Sequence, residues 1–457
     1  PHHFLISLVA GNIWYAISER RSRQRGGTMT VYTVFAPSAC RIRPEFAEGV
    51  ATCNHTIGGN VELGMDLRVD LQVSPDEILS AMQQEWERLT VAWLDVTLAA
   101  VEPLELPSYK GSTFRGAFGW AFQKVSCLTG WPSCSGCSSR SICAYAQVFE
   151  ATVPSGSHPP LEGLQGITRP FVLRPPLERK QTYQPGERLR VELLLFGPAI
   201  PLTPLFIRAF MFLAAQGVGR GRRRARVERV EARLPGQVPV ILFEGGDGCG
   251  DVRSNGPQAI NGTRSFHATL GEWLPGGANT TAGAGAKEGC AKDTRAKSEP
   301  VSIDFVTMTR LKHDGRLVRS GPPFAVLVAS LLRRISTLMW YLTKQDHAWP
   351  SDGGNETRDG EEGRRDNAFP YRQLVKKAEE VQLIEADTRW TDWERFSHRQ
   401  QQHMSLGGLM GRAVYSEAAQ LFLPLLRVGE IVHVGKGSTF GLGQYRLAIR
   451  SADRGHA

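Results

Sequence analysis

The sequence predicts an α+β protein of two tandem ferredoxin-like (RRM-like, βαββαβ) domains. Three observations predict it. Strand-like and helix-like segments follow the order β-α-β-β-α-β in residues 87–233, and the same order returns in 301–450. Both copies also carry a glycine-and-basic loop between the second helix and the last strand, GVGRGRR and GKGSTFGLG.

In the first copy, WLDVTLAAVEPLEL from Trp93 alternates like a strand, and KGSTFRGAFGWAFQKV after it spaces its apolar residues like a helix. A cysteine-rich insertion over 127–143 interrupts there. PFVLRPP and RLRVELLLFG supply two strands, TPLFIRAFMFLAAQ a helix over Thr203 to Gln216, and RARVERVEARL the last strand. Residues 234–300 are rich in Gly, Ala, Thr and Ser and read as a flexible insertion or linker. The second copy opens at SIDFVTMTRL and continues with a helix over Pro323 to Leu342, a polar loop, and a short helix near Tyr371 to Val381. Strands TRWTDWERFSH and GLMGRAVYSE follow, then the apolar helix AAQLFLPLLRVGEIV and the strand YRLAI. Trp390 and Trp393 read mainly as core. Residues 1–86 have weak periodicity and no Met before Met29, and are expected to be a poorly ordered extension.

The length of 457 residues allows two or three domains, each with a core of its own. With 54 Lys and Arg against 45 Asp and Glu, and a pI near 9.2, the chain is basic. Arg220, Arg222, Arg223, Arg224, Arg226 and Arg229 cluster within ten residues, which favours a polyanionic partner, nucleic acid above all. No apolar run reads as the ~20 residues of a membrane span. The nearest, FLISLVAGNIWYAI at residues 4–17, is followed by its basic residues, the reverse of a signal peptide, so no membrane partner and a cytoplasmic location are expected.

The stretch HVGKGSTFGLGQYRL at 433–447 sets Gly435, Gly437, Gly441 and Gly443 around Lys436 and Phe440. Glycines let backbone amides approach an anion. A dinucleotide site is excluded, because that fingerprint needs a strand before the glycines and a helix after them. Here a helix precedes and a strand follows.

Cys127, Cys134, Cys137 and Cys143 form C-x6-C-x2-C-x5-C, while Cys40, Cys53, Cys249 and Cys290 are scattered. In a reducing compartment such a cluster argues for a metal, a structural zinc before an iron-sulfur cluster, and four thiolates leave no open catalytic position.

With LPSYKGSTFRGAFGWAF, CAYAQVFE, PFVLRPP, GVGRGR, TRLKHDGRLV, WTDWERFSHRQ, MSLGGLMG and HVGKGSTFGLGQYRL in this order, the sequence resembles a CRISPR-associated endoribonuclease of the RAMP superfamily, Cas-six type, that processes precursor crRNA. The resemblance implies cleavage of CRISPR repeat RNA with no catalytic cofactor. The 2′-hydroxyl attacks the adjacent phosphate and leaves a 2′,3′-cyclic phosphate and a 5′-hydroxyl, which calls for a base, an acid and cations. It also implies other CRISPR effector subunits as partners. In the family the base is commonly a histidine on the first helix, where this chain has Trp120. The alternative is therefore a non-catalytic RAMP subunit that holds crRNA in an interference complex.

His433 and His313 are the candidate bases, with His398 and His403 behind them; Lys436 is the candidate phosphate-neutralising cation, and Tyr109 orients the phosphate. Expected RNA contacts are Lys110, Arg115, Arg220, Arg222, Arg223, Arg224, the amides of Gly435, Gly437, Gly441 and Gly443, and Phe440 as a base-stacking ring. Arg395 and Arg399 are secondary.

Overall fold

The computed structural model describes residues 4–10, 13–24, 27–35, 74–130, 134, 136–150, 168–245, 265–274, 299–343, 369–397 and 402–448. Two compact units divide the chain, 1–77 with 359–363, and 78–358 with 364–457. In the smaller unit, β1 (Phe4–Ala10), β2 (Ile13–Gln24) and β3 (Gly27–Phe35) make an antiparallel sheet in the order β1-β2-β3. The segment 1–86, expected to lack order, thus carries strands in its first part and α1 (Pro75–Glu87) at its end.

The larger unit contains both copies of the sequence pattern. Its first half runs β4 (Thr90–Ala100), β5 (Leu104–Glu105), α2 (Gly111–Ser126), α3 (Ala144–Phe149), β6 (Phe171–Arg174), β7 (Thr182–Tyr183), β8 (Arg188–Phe196), α4 (Thr203–Gln216) and β9 (Ala225–Arg233). The antiparallel sheet has the order β10-β9-β4-β8-β6, where β10 is Val240–Glu244. Counting only the strands of the repeat, this is fourth, first, third, second.

Period-two alternation in β4 explains the two faces of this sheet. Leu94, Val96 and Leu98 are buried in the main core, while Trp93 and Asp95 lie on the other face. There Asp95 takes two hydrogen bonds of 2.6 Å from Arg233, and Trp93 Nε1 donates to Glu192 at 3.2 Å. In α2 the spacing Phe114, Phe118, Phe122 puts one phenyl per turn on the core stripe. Phe118 sits among Phe122, Phe149, Phe171, Phe206 and Phe210, with ring centroids 4.9–6.3 Å apart.

The stretch Gly197–Gln216 has the length and hydropathy to cross a membrane, which the sequence reading passed over. In the structure it is a 3-10 turn leading into α4, and Phe206, Phe210 and Leu213 from it are buried in this core.

Residues 234–300, expected to be a linker, contribute structure to the first half. β10 extends the sheet beside β9, and β11 (Ala268–Thr269) pairs with the first residues of β4 before α5 (Leu270–Trp273). The alternation in VPVILFE is short and half-exposed, so composition alone hid it.

The second half runs β12 (Val301–Thr309), β13 (Lys312–His313), β14 (Arg316–Leu317), α6 (Phe324–Thr343), α7 (Phe369–Glu379), β15 (Leu383–Thr391), β16 (Glu394–Ser397), β17 (Gln402–Ser405), β18 (Gly408–Tyr415), α8 (Leu423–Val432) and β19 (Tyr445–Ala448). Its sheet order is β15-β18-β12-β19, the first half's order read from the opposite edge. Ile303 and Phe305 are buried, and Asp304, on the alternate face, pairs with Arg412 directly across on β18. Leu327, Leu331, Ile335 and Leu338 give α6 a buried stripe.

The candidate nucleic-acid interface

The glycine stretch 433–447 lies where the halves of the larger unit meet. Gly435, Gly437, Gly441 and Gly443 all have φ between 74° and 86°, a region closed to most side chains. They also permit close approaches: a Cβ on Gly443 would stand 1.8 Å from the Val434 carbonyl oxygen, and one on Gly441 would stand 2.5 Å from Pro175 Cδ of the first half.

For Gly435, Gly441 and Gly443 the expected phosphate cradle is corrected by where the amides point. The N–H of Gly443 donates to Met308 O, that of Gly435 to Ser330 Oγ, that of Gly441 to Ser438 O and that of Lys436 to Arg310 O. Amides already bonded inside the protein do not bind phosphate. Gly437 starts the Ser438–Phe440 turn and accepts the Phe440 N–H through its own carbonyl. Glycine is needed here for packing.

His433 is corrected as a base for the same reason. It ends α8 with φ 64° and ψ 168°, and its side chain is 0% exposed. Arg174 Nε donates to its Nε2 at 2.8 Å, and Nδ1 donates to Leu442 O at 3.1 Å, so both ring nitrogens are engaged. Burial first, then the nearby Arg174 and Arg334 cations, push its pKa well below 6.5. The ring locks a backbone conformation that non-glycine residues rarely adopt.

Arg174, which the sequence reading did not single out, ties the halves together. Its Nη2 donates to Glu430 O at 2.7 Å and Ile431 O at 3.2 Å, capping the carbonyl end of α8. Its guanidinium also lies over the Trp93 ring, and burial lowers its pKa to about 10. The signal was present in PFVLRPP, where a charge closes an otherwise apolar strand.

Tyr109 joins the same seam. Its hydroxyl donates to Phe440 O at 2.7 Å, its ring packs edge-on against Trp393, and burial raises its pKa. It is a clasp between the halves. Lys110 is corrected as an RNA contact, because it is 0% exposed and donates to Glu178 O at 2.7 Å. Phe440 is half-buried, with the Arg115 guanidinium 5.5 Å from its ring centroid and 4.5 Å from that of Phe149. Trp390 and Trp393 are half-buried rather than core, and Trp390 donates to Asp392 and carries Arg319 over its ring.

Two cationic surfaces remain. At the glycine stretch, Lys436 is exposed, and partial desolvation of its ammonium followed by repulsion from Lys312, Arg310 and Arg333 lowers its pKa. Cations that repel one another in this way are relieved by a phosphate. His313 sits beside Lys312 at the end of β13, exposed, with Nε2 3.5 Å from Asp314. The tight turn after it is made by Asp314 and Gly315, both at positive φ.

The second surface is a groove of about 1820 Å³ in the first half, lined by the outer face of α2, the 217–222 loop and Phe440. Arg220, Arg222, Arg223 and Arg224 are exposed in or beside that loop. Arg220 approaches Glu105 at 3.9 Å, and Arg224 approaches Glu102 at 3.4 Å. Farther along β9, Arg226 and Arg229 pair with carboxylates, so part of the arginine run is an ion-paired strand. Trp120 opens into the groove.

Cys127, Cys134, Cys137 and Cys143 are half-buried, in the loop between α2 and α3. Burial, then the charges of Glu150, Cys143 and Cys127, raise the Cys134 pKa. Among the described residues, however, no three His, Cys, Asp or Glu side chains converge as a metal ion requires. Cys40, Cys53, Cys249, Cys290, His398 and Arg399 lie outside the described residues, and Arg395 and His403 fall on β16 and β17.

Two antiparallel sheets of equal strand order, joined through a glycine-rich seam, define an α+β protein with two cationic surfaces. Residues 303–445 match the family CRISPR-associated endoribonuclease Cas6, and 89–256 match a family described as an N-terminal domain. The Cas6 match falls within the second half of the larger unit. An uncharacterized protein of Archaeoglobus fulgidus is 23% identical over 348 residues, 75% of this chain and 92% of that one. Among solved structures, a partial Cas6-RT-Cas1–Cas2 complex is similar at TM-score 0.42 and 14% identity, over 81% of this chain and 47% of that one. A Cas6 product complex is similar at TM-score 0.38 and 15% identity, over 79% of this chain and 99% of that one.

Proposed function

We propose that the protein is an endoribonuclease that cleaves CRISPR repeat RNA in precursor crRNA without a catalytic metal, its larger unit acting as two tandem ferredoxin-like RAMP domains. The observation that carries the reading is the cluster of Lys436, Lys312, Arg310 and Arg333 beside the glycine seam of the segment that matches the Cas6 family. These cations would balance charge growing on the phosphoryl oxygens. With His433 sealed in the seam and Tyr109 spent on Phe440, His313 is the exposed one of the two leading candidate bases. It would take the proton of the 2′-hydroxyl as that oxygen bonds to phosphorus. The bond from phosphorus to the 5′-oxygen breaks, the leaving oxygen gains a proton, and a 2′,3′-cyclic phosphate and a 5′-hydroxyl result.

The exposed arginines of the 217–222 loop supply phosphate contacts that give affinity without sequence choice. The partners proposed are repeat RNA, crRNA and other CRISPR subunits, in the cytoplasm. The four thiols of the 127–143 loop are proposed to take up a structural zinc, which requires the loop to draw all four sulfurs together.

Repeat RNA incubated with the protein in EDTA, beside RNA with a 2′-deoxy group at the cut, tests the reaction. Cleavage in EDTA that the deoxy group blocks supports it; tight binding with no cleavage sinks it. A second reading, a crRNA-holding subunit that does not cut, is favoured by the burial of His433 and by Trp120 in the groove where the family commonly has a histidine. His313→Ala separates the two, since it should abolish cleavage and spare binding.

A further inference from the structure

We propose that Trp120 is a stacking platform for one unpaired nucleobase of a single-stranded RNA lying in the groove along α2. The inference rests on the RNA reading above and names a contact by which the groove would select single strands.

The helix itself isolates this side chain. Phe114, Phe118, Ala121 and Phe122 fill the core side of α2, which leaves Trp120 on the outer side, 42% exposed. A lone surface aromatic is ordinary. This one lines a groove of about 1820 Å³ whose wall carries Arg140, Arg169, Arg220 and Arg222 against Glu105 and Glu150, an excess of positive charge. A polyanion with flat, weakly hydrated rings matches that combination of indole and guanidinium groups better than an apolar peptide does.

The indole is also held in place. Phe212 of α4 lies 5.4 Å from it, centroid to centroid, at 39°, so stacking a base costs little further rotamer freedom. One turn earlier stands Gly116, and a Cβ built there would meet nothing within 4 Å. Glycine is poor in mid-helix, and no neighbour requires it at this position. Residues four apart share a helix face, so the space above Gly116 adjoins the indole and can receive the edge of a base. Gly119, by contrast, has a packing reason: a Cβ there would stand 2.6 Å from Arg115 Nη1.

The test uses a fluorescein-labelled oligouridine of about twelve nucleotides, within the ~4–16 nucleotides of single-strand sites. An abasic ribose-phosphate chain of equal length and charge serves as its comparison. The wild-type protein should bind oligouridine more tightly than the abasic chain, by about 5-fold or more, the lower end of base–aromatic stacking. Trp120→Ala should erase that preference with the salt dependence unchanged, because no phosphate contact is lost; Trp120→Phe should keep most of it. Arg222→Ala should do the opposite, preserving the preference and lowering the salt slope by about one.

Gly116→Leu guards against a folding artefact, since its side chain enters open space, and it too should erase the preference. A preference that survives both Trp120→Ala and Gly116→Leu overturns the platform and leaves the RNA reading standing. Equal loss toward both probes, or a lower salt slope in Trp120→Ala, assigns the indole to packing alone and also overturns it. A wild-type protein that binds neither probe at moderate salt overturns the inference and the RNA reading together.

Discussion

Replacing Arg174 by methionine removes the cation that joins the two halves of the larger unit. Arg174 donates to His433 Nε2 at 2.8 Å and to the carbonyls of Glu430 and Ile431 at 2.7 and 3.2 Å. An orphaned buried acceptor costs ~1–3 kcal/mol, and a hydrogen bond from a charged donor contributes ~1.5–3 kcal/mol. The imidazole is fully buried and has no water to replace its donor, whereas the carbonyls at the end of α8 can recover part of theirs. The buried guanidinium also carries a desolvation cost, seen in its pKa of about 10, that methionine would not carry.

The net expectation is a loss of about 3 kcal/mol, read as a fall of several degrees in melting temperature. Arg174→Lys keeps the charge on a single donor nitrogen and should lie between. The same contact predicts acid sensitivity. His433 is held neutral in the fold, so below its ordinary pKa of 6.5 the unfolded chain takes up a proton that the folded chain refuses. The stability is present above pH 6.5 and is lost as pH falls from there toward the folded value, by at most ~1.4 kcal/mol per unit. Arg174→Met relieves the second cause of the depression and should narrow the pH range over which that stability is lost. A stability within ~0.5 kcal/mol of wild type would refute the account of the seam.

Gly443→Ala should be among the most damaging single changes, costing several times the ~1 kcal/mol of ordinary glycine replacements, because its Cβ meets the Val434 carbonyl at 1.8 Å; a soluble variant with wild-type melting would contradict this. Lys312→Ala and Lys436→Ala should each weaken repeat-RNA binding and lower the salt slope by about one, as anisotropy titrations over a range of salt would reveal. Tyr109→Phe should cost about 1 kcal/mol of stability through the lost bond to Phe440 O and leave RNA affinity unchanged, checked by paired melting and binding curves. Alanine at Cys134 and Cys137 should lower zinc content in elemental analysis, and a metal-free wild-type protein would end that proposal.

Much of the fold was legible in the chain because periodicity is local. The spacing of Phe114, Phe118 and Phe122 identifies the buried face of α2, and TPLFIRAFMFLAAQ coincides with α4 from Thr203 to Gln216. The candidate site was less legible. A glycine signals that the backbone needs room but is silent about what fills it. The room at Gly441 and Gly443 is taken by Pro175 and by the Val434 carbonyl instead of by phosphate. Likewise Lys110 and His433 look reactive in one dimension, and only burial distinguishes a structural cation or imidazole from an accessible one.

Local composition and spacing were thus enough for the two repeated strand-and-helix patterns, the basic balance and the place of the glycine loops, because each depends on residues a few positions apart. The union of Arg174 with His433 and α8, of Tyr109 with Phe440, and of Lys436 with Lys312 depends on contacts across as many as 331 positions. Hydrogen bonding and charge repulsion act at distances of a few ångströms, and that proximity exists only after the chain has folded.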